Sequence, residues 1–233
     1  MALWRNTIEL TIPDTSHEKK YLDWYRTVHV LDVLECPGFL NGRLCMAKEL
    51  RGGRGKFLST YEIETNDIDK TMAVRREMRD EEKKRGRYGN ILDPVDHIWR
   101  DILWRQITRL VADKEHHPGE EKWINLVETY CIDASREQDY NDWYTNIHLS
   151  DVLKTPGFMA ATRYEIRELC DGRGKYLTLY EIETDDIDTT MSERRERRMS
   201  QWEQGRRNNL GMPIWRDVLW RVIVAFPQPM YQP

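Results

Sequence analysis

The 233-residue chain is 39% hydrophobic and 33% charged, carries nine Trp and eleven Tyr, and has a formal net charge of −4. That aromatic content argues for a packed core and against disorder, while the slightly acidic balance offers no basic footprint for nucleic acid. No run of about 20 apolar residues occurs, as a transmembrane helix would need, and the start MALWRNTIELTIPD lacks the basic-then-apolar build of a signal peptide.

In chain order, the first strand is expected over Trp4 to Ile12, closed by Pro13-Asp14. A helix follows from about Ser16, a plausible N-cap, to Cys36, where Pro37-Gly38 is a stop signal. Phe39 to Leu50 and Lys56 to Glu64 read as two strands around an Arg51-Gly52-Gly53-Arg54-Gly55 hairpin loop. Asp67 to Arg85 reads as a second helix, so rich in Arg, Lys and Glu that most of its surface must face water. Ile98 to Val111 is the last strand of this half, and the polar, Pro-Gly-containing segment Ala112 to Lys122 reads as a linker. His116 and His117 lie in that linker without a further metal ligand spaced to join them, so they read as solvated residues.

The second half repeats the first. Trp4, Trp24, His29 and Tyr61 recur 119 positions later as Trp123, Trp143, His148 and Tyr180, and Trp99-Arg100-Asp101 recurs after 116 as Trp215-Arg216-Asp217. The difference places a three-residue loss in the loop before the last strand. Two copies make a duplicated domain, not a solenoid. The expected organisation is one repeat over 1–111, a linker over 112–122 and a second repeat over 123–233. Each copy reads β-α-β-β-α-β, the ferredoxin-like arrangement, with both helices on one face of an antiparallel sheet. The other face must be covered, most economically by packing the two repeats as an α/β barrel within one chain.

The four cysteines, Cys36, Cys45, Cys131 and Cys170, form no C-x-x-C pair and none recurs at the repeat spacing. They read as reduced thiols of a cytoplasmic protein.

The string W-Y-x-x-x-H-x-x-D-V-L-x-x-P-G-F, followed by R-Y-E and Y-L-x-L-Y-E-I-E-T, resembles the dimeric α/β-barrel superfamily, and within it the EthD-like branch. In the second half it comprises Trp143-Tyr144, His148, Asp151, Pro156-Gly157-Phe158, Arg163-Tyr164-Glu165 and Tyr176 to Thr184. The resemblance covers both halves nearly end to end. It implies a barrel that two chains usually build and this chain builds alone. It does not imply one reaction, because the superfamily includes cofactor-free monooxygenases, polyketide cyclases, lactone isomerases, dehalogenating enzymes and haem proteins.

With a 3.6-residue period, Tyr140, Trp143 and Ile147 form the face of the first helix that presses on the sheet. Tyr144, His148 and Asp151 lie on a flank beside it. A His148–Asp151 hydrogen bond would fix the imidazole tautomer and make His148 a general base near neutral pH, with Tyr144 as a donor to a developing oxyanion. Leu44-Cys45 of the first copy becomes Arg163-Tyr164 in the second. Arg163 can bind an anionic oxygen and Tyr164 can donate or stack, although neighbours on a strand point to opposite faces. The second copy is therefore the expected catalytic one, with His148, Asp151, Tyr144 and Arg163 as catalytic candidates. Tyr164, Tyr180, His29, Tyr25 and Tyr61 are candidates for lining a substrate pocket, although for the strand tyrosines plain packing is the stronger reading.

The expected function is a small-molecule enzyme without cofactor or metal, acting by acid/base elimination, isomerisation, cyclisation or dehydration on an aromatic or otherwise apolar carbonyl or hydroxyl compound. Three rivals stand beside it: a monooxygenase of an electron-rich phenol, a haem protein with His29 or His148 as axial ligand, and a non-catalytic hydrophobic-ligand carrier. The expected partners are a small apolar molecule and further copies of the tandem chain, with neither nucleic acid nor membrane.

Overall fold

A computed structural model describes residues 1–12, 14–50, 55–87, 98–113, 119–168, 174–206 and 213–227. Pro13, the hairpin-loop residues 51–54, the linker histidines His116 and His117, Cys170 and the loop that shortens in the second copy lie outside the described residues.

The first copy begins with β1 (Ala2–Leu10). A helical run follows: a 3-10 turn (Thr15–His17), α1 (Glu18–Trp24), a π-helical segment (Tyr25–His29) and α2 (Val30–Leu34). Then come β2 (Phe39–Ala47), β3 (Phe57–Thr65), α3 (Ile68–Lys84) and β4 (Ile98–Val111). The second copy runs in the same order: β5 (Glu121–Thr129), a 3-10 turn (Ala134–Arg136), α4 (Glu137–Trp143), a π segment (Tyr144–His148), α5 (Leu149–Leu153), β6 (Phe158–Ile166), β7 (Tyr176–Thr184), α6 (Ile187–Glu203) and β8 (Ile214–Phe226). The strands are hydrogen-bonded in the cyclic order β1-β3-β2-β8-β5-β7-β6-β4, a closed barrel, so the α+β barrel expected from the repeat is observed. Two compact units divide the chain, one of Met1–Arg105 with Val222–Pro233 and one of Gln106–Arg221. No helix among the described residues is long and apolar enough to cross a membrane.

In the first unit β1 pairs antiparallel with β3 and β4, and β2 pairs with β3. Period-2 alternation sends one set of side chains toward the helices, where Tyr21, Tyr25, Val30, Phe57, Tyr61 and Ile63 build a buried core. In the second unit Tyr140, Tyr144, Leu149, Phe158, Tyr180 and Ile182 do the same. Fully burying side chains of this size stabilises by about 1.5–3 kcal/mol each. The long helices start where the sequence offers a cap: the Asp67 side chain accepts from the Lys70 amide, and Asp186 from the amides of Asp188 and Thr189. The first helical run starts differently from expectation. Asp14, not Ser16, caps it, because the Asp14 carboxylate accepts from the Ser16 amide at 2.9 Å. After each proline stop the chain turns through a left-handed glycine, Gly38 at φ +94° and Gly157 at φ +86°.

The face of the first helix also differs from the 3.6-period reading. Tyr140 and Tyr144 are the fully buried residues, whereas Trp143 is only partly buried and Ile147 is 36% exposed. For Ile147 the cause is the π segment, where the Leu149 amide bonds to the Tyr144 carbonyl and five residues share a turn. The wider turn rotates every later side chain, so a uniform α-helical wheel misplaces them.

Gly55, two residues before β3, shows how closely the chain passes the end of β1. Its amide donates to Glu9 Oε1 at 2.7 Å, and a Cβ at this position would stand 2.6 Å from the Leu10 carbonyl oxygen and 2.7 Å from the Leu10 nitrogen. Backbone cannot yield as a flexible side chain can, so Gly55→Ala is expected to cost about 1–3 kcal/mol, read as a lower urea midpoint. An unchanged midpoint would show that the strands separate without cost.

Candidate functional site

In the second unit the expected residues do come together, but not as a base and its orienter. His148 stacks on Trp143 with ring centroids 5.0 Å apart and meets Tyr144 edge-on at 4.7 Å. The His148–Asp151 hydrogen bond suggested by the i, i+3 spacing is not formed. Asp151 instead accepts from Arg206 Nε at 2.7 Å, Arg206 Nη2 at 2.8 Å and Lys154 Nζ at 3.1 Å. Burial works against the Asp151 charge, yet these hydrogen bonds outweigh it and hold the carboxyl below its usual range. Burial also pushes His148 down to about 3, with Arg194 adding to the effect and Asp151 opposing it. An imidazole so weakly basic is neutral at pH 7 and a poor general base there.

Arg163 is fully buried on β6 and points toward the helices, while the neighbouring Tyr164 is buried on the opposite face of the strand. Its guanidinium carbon lies 4.4 Å from the ring centroids of Tyr144 and Tyr176 and 5.2 Å from that of Tyr140. Nη2 donates to Asn141 Oδ1 at 2.7 Å. The Tyr144 hydroxyl accepts from Thr178 at 2.9 Å and lies 3.4 Å from the Tyr180 hydroxyl. Burial pushes Tyr180 well above the ordinary phenol range, so it is a neutral hydrogen-bonding group.

The first unit holds a cavity of about 120 Å³ between its sheet and its helices. Trp24 and His29 close it from the helical run, Tyr61 and Asn6 from the sheet, and Arg75 and Arg79 from α3. His29 stacks on Trp24 at 4.6 Å, and burial, assisted by Arg75, lowers it to about 3. The Tyr25 and Tyr61 hydroxyls are 3.0 Å apart, and burial raises Tyr25 well above its ordinary value. Of the tyrosine candidates, Tyr61 therefore lines a cavity and Tyr25 braces it from behind.

Asp101 on β4 stands at the rim of this cavity and is solvent-exposed. Asn6 Nδ2 donates to its Oδ1 at 2.7 Å and to the Ile102 carbonyl at 3.2 Å, which fixes the carboxylate against the sheet. Although the residue as a whole is exposed, the protein packed round its carboxyl partly buries it and raises it above the usual carboxylate range, with the Asn6 hydrogen bond and the Arg79 charge pulling the other way. Arg79 Nε is buried and makes no hydrogen bond among the described residues. The Arg75 guanidinium is neutralised by Glu82, with contacts of 2.6 and 3.0 Å. Sequence reasoning assigned no chemistry to Asp101, Asn6 or Arg79. A signal was present in the repeat itself, since Asn6 and Asp101 recur as Asn125 and Asp217, again joined at 2.6 Å.

A larger groove of about 800 Å³ runs along α3 past Asp32, Glu77, Asp80, Glu81 and Glu82. Three of its six lining acids are committed, Asp32 to Arg87, Glu81 to Lys84 and Glu82 to Arg75. It reads as a solvated ion-pair surface.

No family model matches the chain, and no curated protein matches its sequence. Solved structures match its fold. A monooxygenase-like protein from Fusobacterium nucleatum superposes with a TM-score of 0.58 at 12% identity, covering 96% of this chain and 94% of that one. An anthrone oxidase-like protein gives 0.57 at 12% identity over 96% and 92%. Chlorite dismutase from Candidatus Nitrospira defluvii gives 0.57 at 11% identity over 94% and 90%. At such identities the likeness is one of fold. It nevertheless corrects the expectation of a cofactor-free barrel, because the chlorite dismutase-like structures bind haem.

The described residues do not themselves fit that group. The cavity beside His29 measures about 120 Å³, against roughly 300–1,000 Å³ for sites that enclose drug-sized ligands. The His148 ring is packed between Trp143 and Tyr144.

Proposed function

We propose that the protein is a small-molecule enzyme whose reaction turns on proton transfer at the first-unit cavity, with Asp101 as the general base. The observation that carries this reading is the combination at one rim of an accessible carboxylate of raised pKa, an amide that orients it, and a buried guanidinium nitrogen without an acceptor among the described residues. A raised pKa makes the carboxylate a stronger base while leaving it ionised at neutral pH. Ile8, Trp24, Phe39 and Met72 give the cavity apolar walls, which suits a compact, largely apolar substrate bearing a carbonyl or hydroxyl. Arg79 is placed to meet negative charge as it develops on the substrate oxygen. The steps compatible with these groups are elimination, isomerisation, cyclisation or dehydration.

A screen of small enolisable ketones, hydroxy-ketones and phenols for turnover tests the proposal, with Asp101→Asn as the control. Turnover retained in that variant would sink it. A second reading, oxidation of an electron-rich phenol by molecular oxygen, is favoured by the monooxygenase-like and anthrone oxidase-like fold neighbours. Oxygen uptake stoichiometric with product separates the two.

A further inference from the structure

The two copies handle buried positive charge in opposite ways. In the first unit the α3 arginine, Arg75, is neutralised by Glu82 seven residues on. In the second, the equivalent Arg194 on α6 is equally buried, but the position of Glu82 is held by Gln201, and the contact is a single long bond of 3.4 Å to a neutral amide. The first unit has Leu44 where the second has Arg163. Arg163 is wholly buried, and its Nε and Nη1 make no hydrogen bond among the described residues. Both guanidinium groups act on the same neighbours, since Arg163 lies over Tyr144 and both Arg163 and Arg194 depress the basicity of His148. The carboxylate that acts on Arg194, Asp151, is already held by Arg206 and Lys154, and Glu137, beside Tyr176, is held by Lys175. The second unit thus buries two cations where the first buries a neutral pair, with hydrogen-bond donors to spare. Buried charge of this kind persists when something neutralises it.

We propose that the helix-facing interior of the second unit is an anion-binding site, in which Arg163 and Arg194 together take one small organic anion, a carboxylate or a phenolate. The three tyrosine rings around Arg163 supply flat apolar walls for such a ligand, and a guanidinium matches an anionic oxygen pair with two parallel donors. The site is separate from the first-unit cavity and uses none of its residues.

The test is thermal denaturation of the full chain against rising formate, benzoate and 4-nitrophenolate, with chloride at matched ionic strength as the reference. Wild type is expected to show a saturable rise in Tm with at least one organic anion beyond that with chloride. Response to the carboxylates alone assigns a carboxylate site, and response to 4-nitrophenolate alone a phenolate site. Gln201→Glu, which restores the first copy's internal counter-ion, is expected to weaken binding by about tenfold or more while raising Tm without ligand. Arg163→Leu, the first copy's residue, is expected to weaken it as much, and should it fail to fold, Gln201→Glu alone decides. Asp101→Asn is expected to bind the anion as wild type does, which keeps this result distinct from the fate of the catalytic reading. No saturable stabilisation by any probe, or unchanged affinity in Gln201→Glu, would overturn the proposal.

Discussion

Glu82→Gln is expected to destabilise the protein by about 3 kcal/mol, the low end of what removing one partner from a buried ion pair costs. The pair meets the conditions for so large a value. Both side chains are about 10% exposed, and the contact is bidentate at 2.6 and 3.0 Å. Glutamine keeps the shape and one acceptor but removes the charge that neutralises Arg75. The guanidinium then remains in the wall of an apolar cavity. Urea unfolding measures the effect as a shift in midpoint at unchanged slope. A change below about 0.5 kcal/mol, the range of an exposed pair, would show that the pair is solvated.

Asp101→Asn is expected to lower turnover by about 10²–10⁴, the usual contribution of a positioned general base, and to leave the fold intact. Asparagine is isosteric and its side-chain oxygen still accepts from Asn6, so the local geometry survives while the basicity is lost. The same variant carries a stability prediction with a definite sign. The native carboxyl is raised above its unfolded value. Its contribution to stability is therefore fully present below the unfolded pKa and is lost as pH rises through the folded pKa. At pH 7 the wild type bears the ionised form that folding disfavours, and Asp101→Asn removes it. A small increase in Tm is expected at pH 7, vanishing near pH 3 where the wild-type carboxyl is protonated. Because Asp101 is exposed, solvent screening keeps the gain within a few tenths of a kcal/mol. Loss of activity together with a gain in stability is the signature of a group retained for chemistry and not for folding. A Tm drop of several degrees would assign Asp101 a structural role.

The barrel was legible in the sequence because repeats and period-2 strands are written locally. β4 begins and ends at Ile98 and Val111, as the pattern of apolar residues and its Trp anchors indicated. α3 lies one residue inside the expected limits, since Asp67 and Arg85 turn out to be its caps. The site was less legible. A helical wheel assumes one period throughout, and the π segments at Tyr25–His29 and Tyr144–His148 break it. That shift leaves Ile147 outside, whereas Tyr144, at the start of the π segment and four residues after Tyr140, is inward by ordinary α spacing. The ionisation of His148 is set by its burial in the folded core and then by Arg194, 46 positions away, and Asp151 finds Arg206, 55 positions away. Neither partner can be read from helix spacing. Arg163, by contrast, was visible as a departure of one copy from the other, and the structure places it among three tyrosines, of which Tyr140 and Tyr144 repeat Tyr21 and Tyr25 while Tyr176 stands where the first copy has Phe57.

The central claim, that the working base is the Asp101 carboxylate and not an imidazole, is tested most directly by the pH dependence of kcat/KM between pH 3.5 and 8. With His29 and His148 both lowered to about 3 and Asp101 raised from 3.8, activity is expected to rise through one ionisation above the usual aspartate value and to run flat from there through pH 7. A limb centred near 6.5 that disappears in His148→Ala would contradict it.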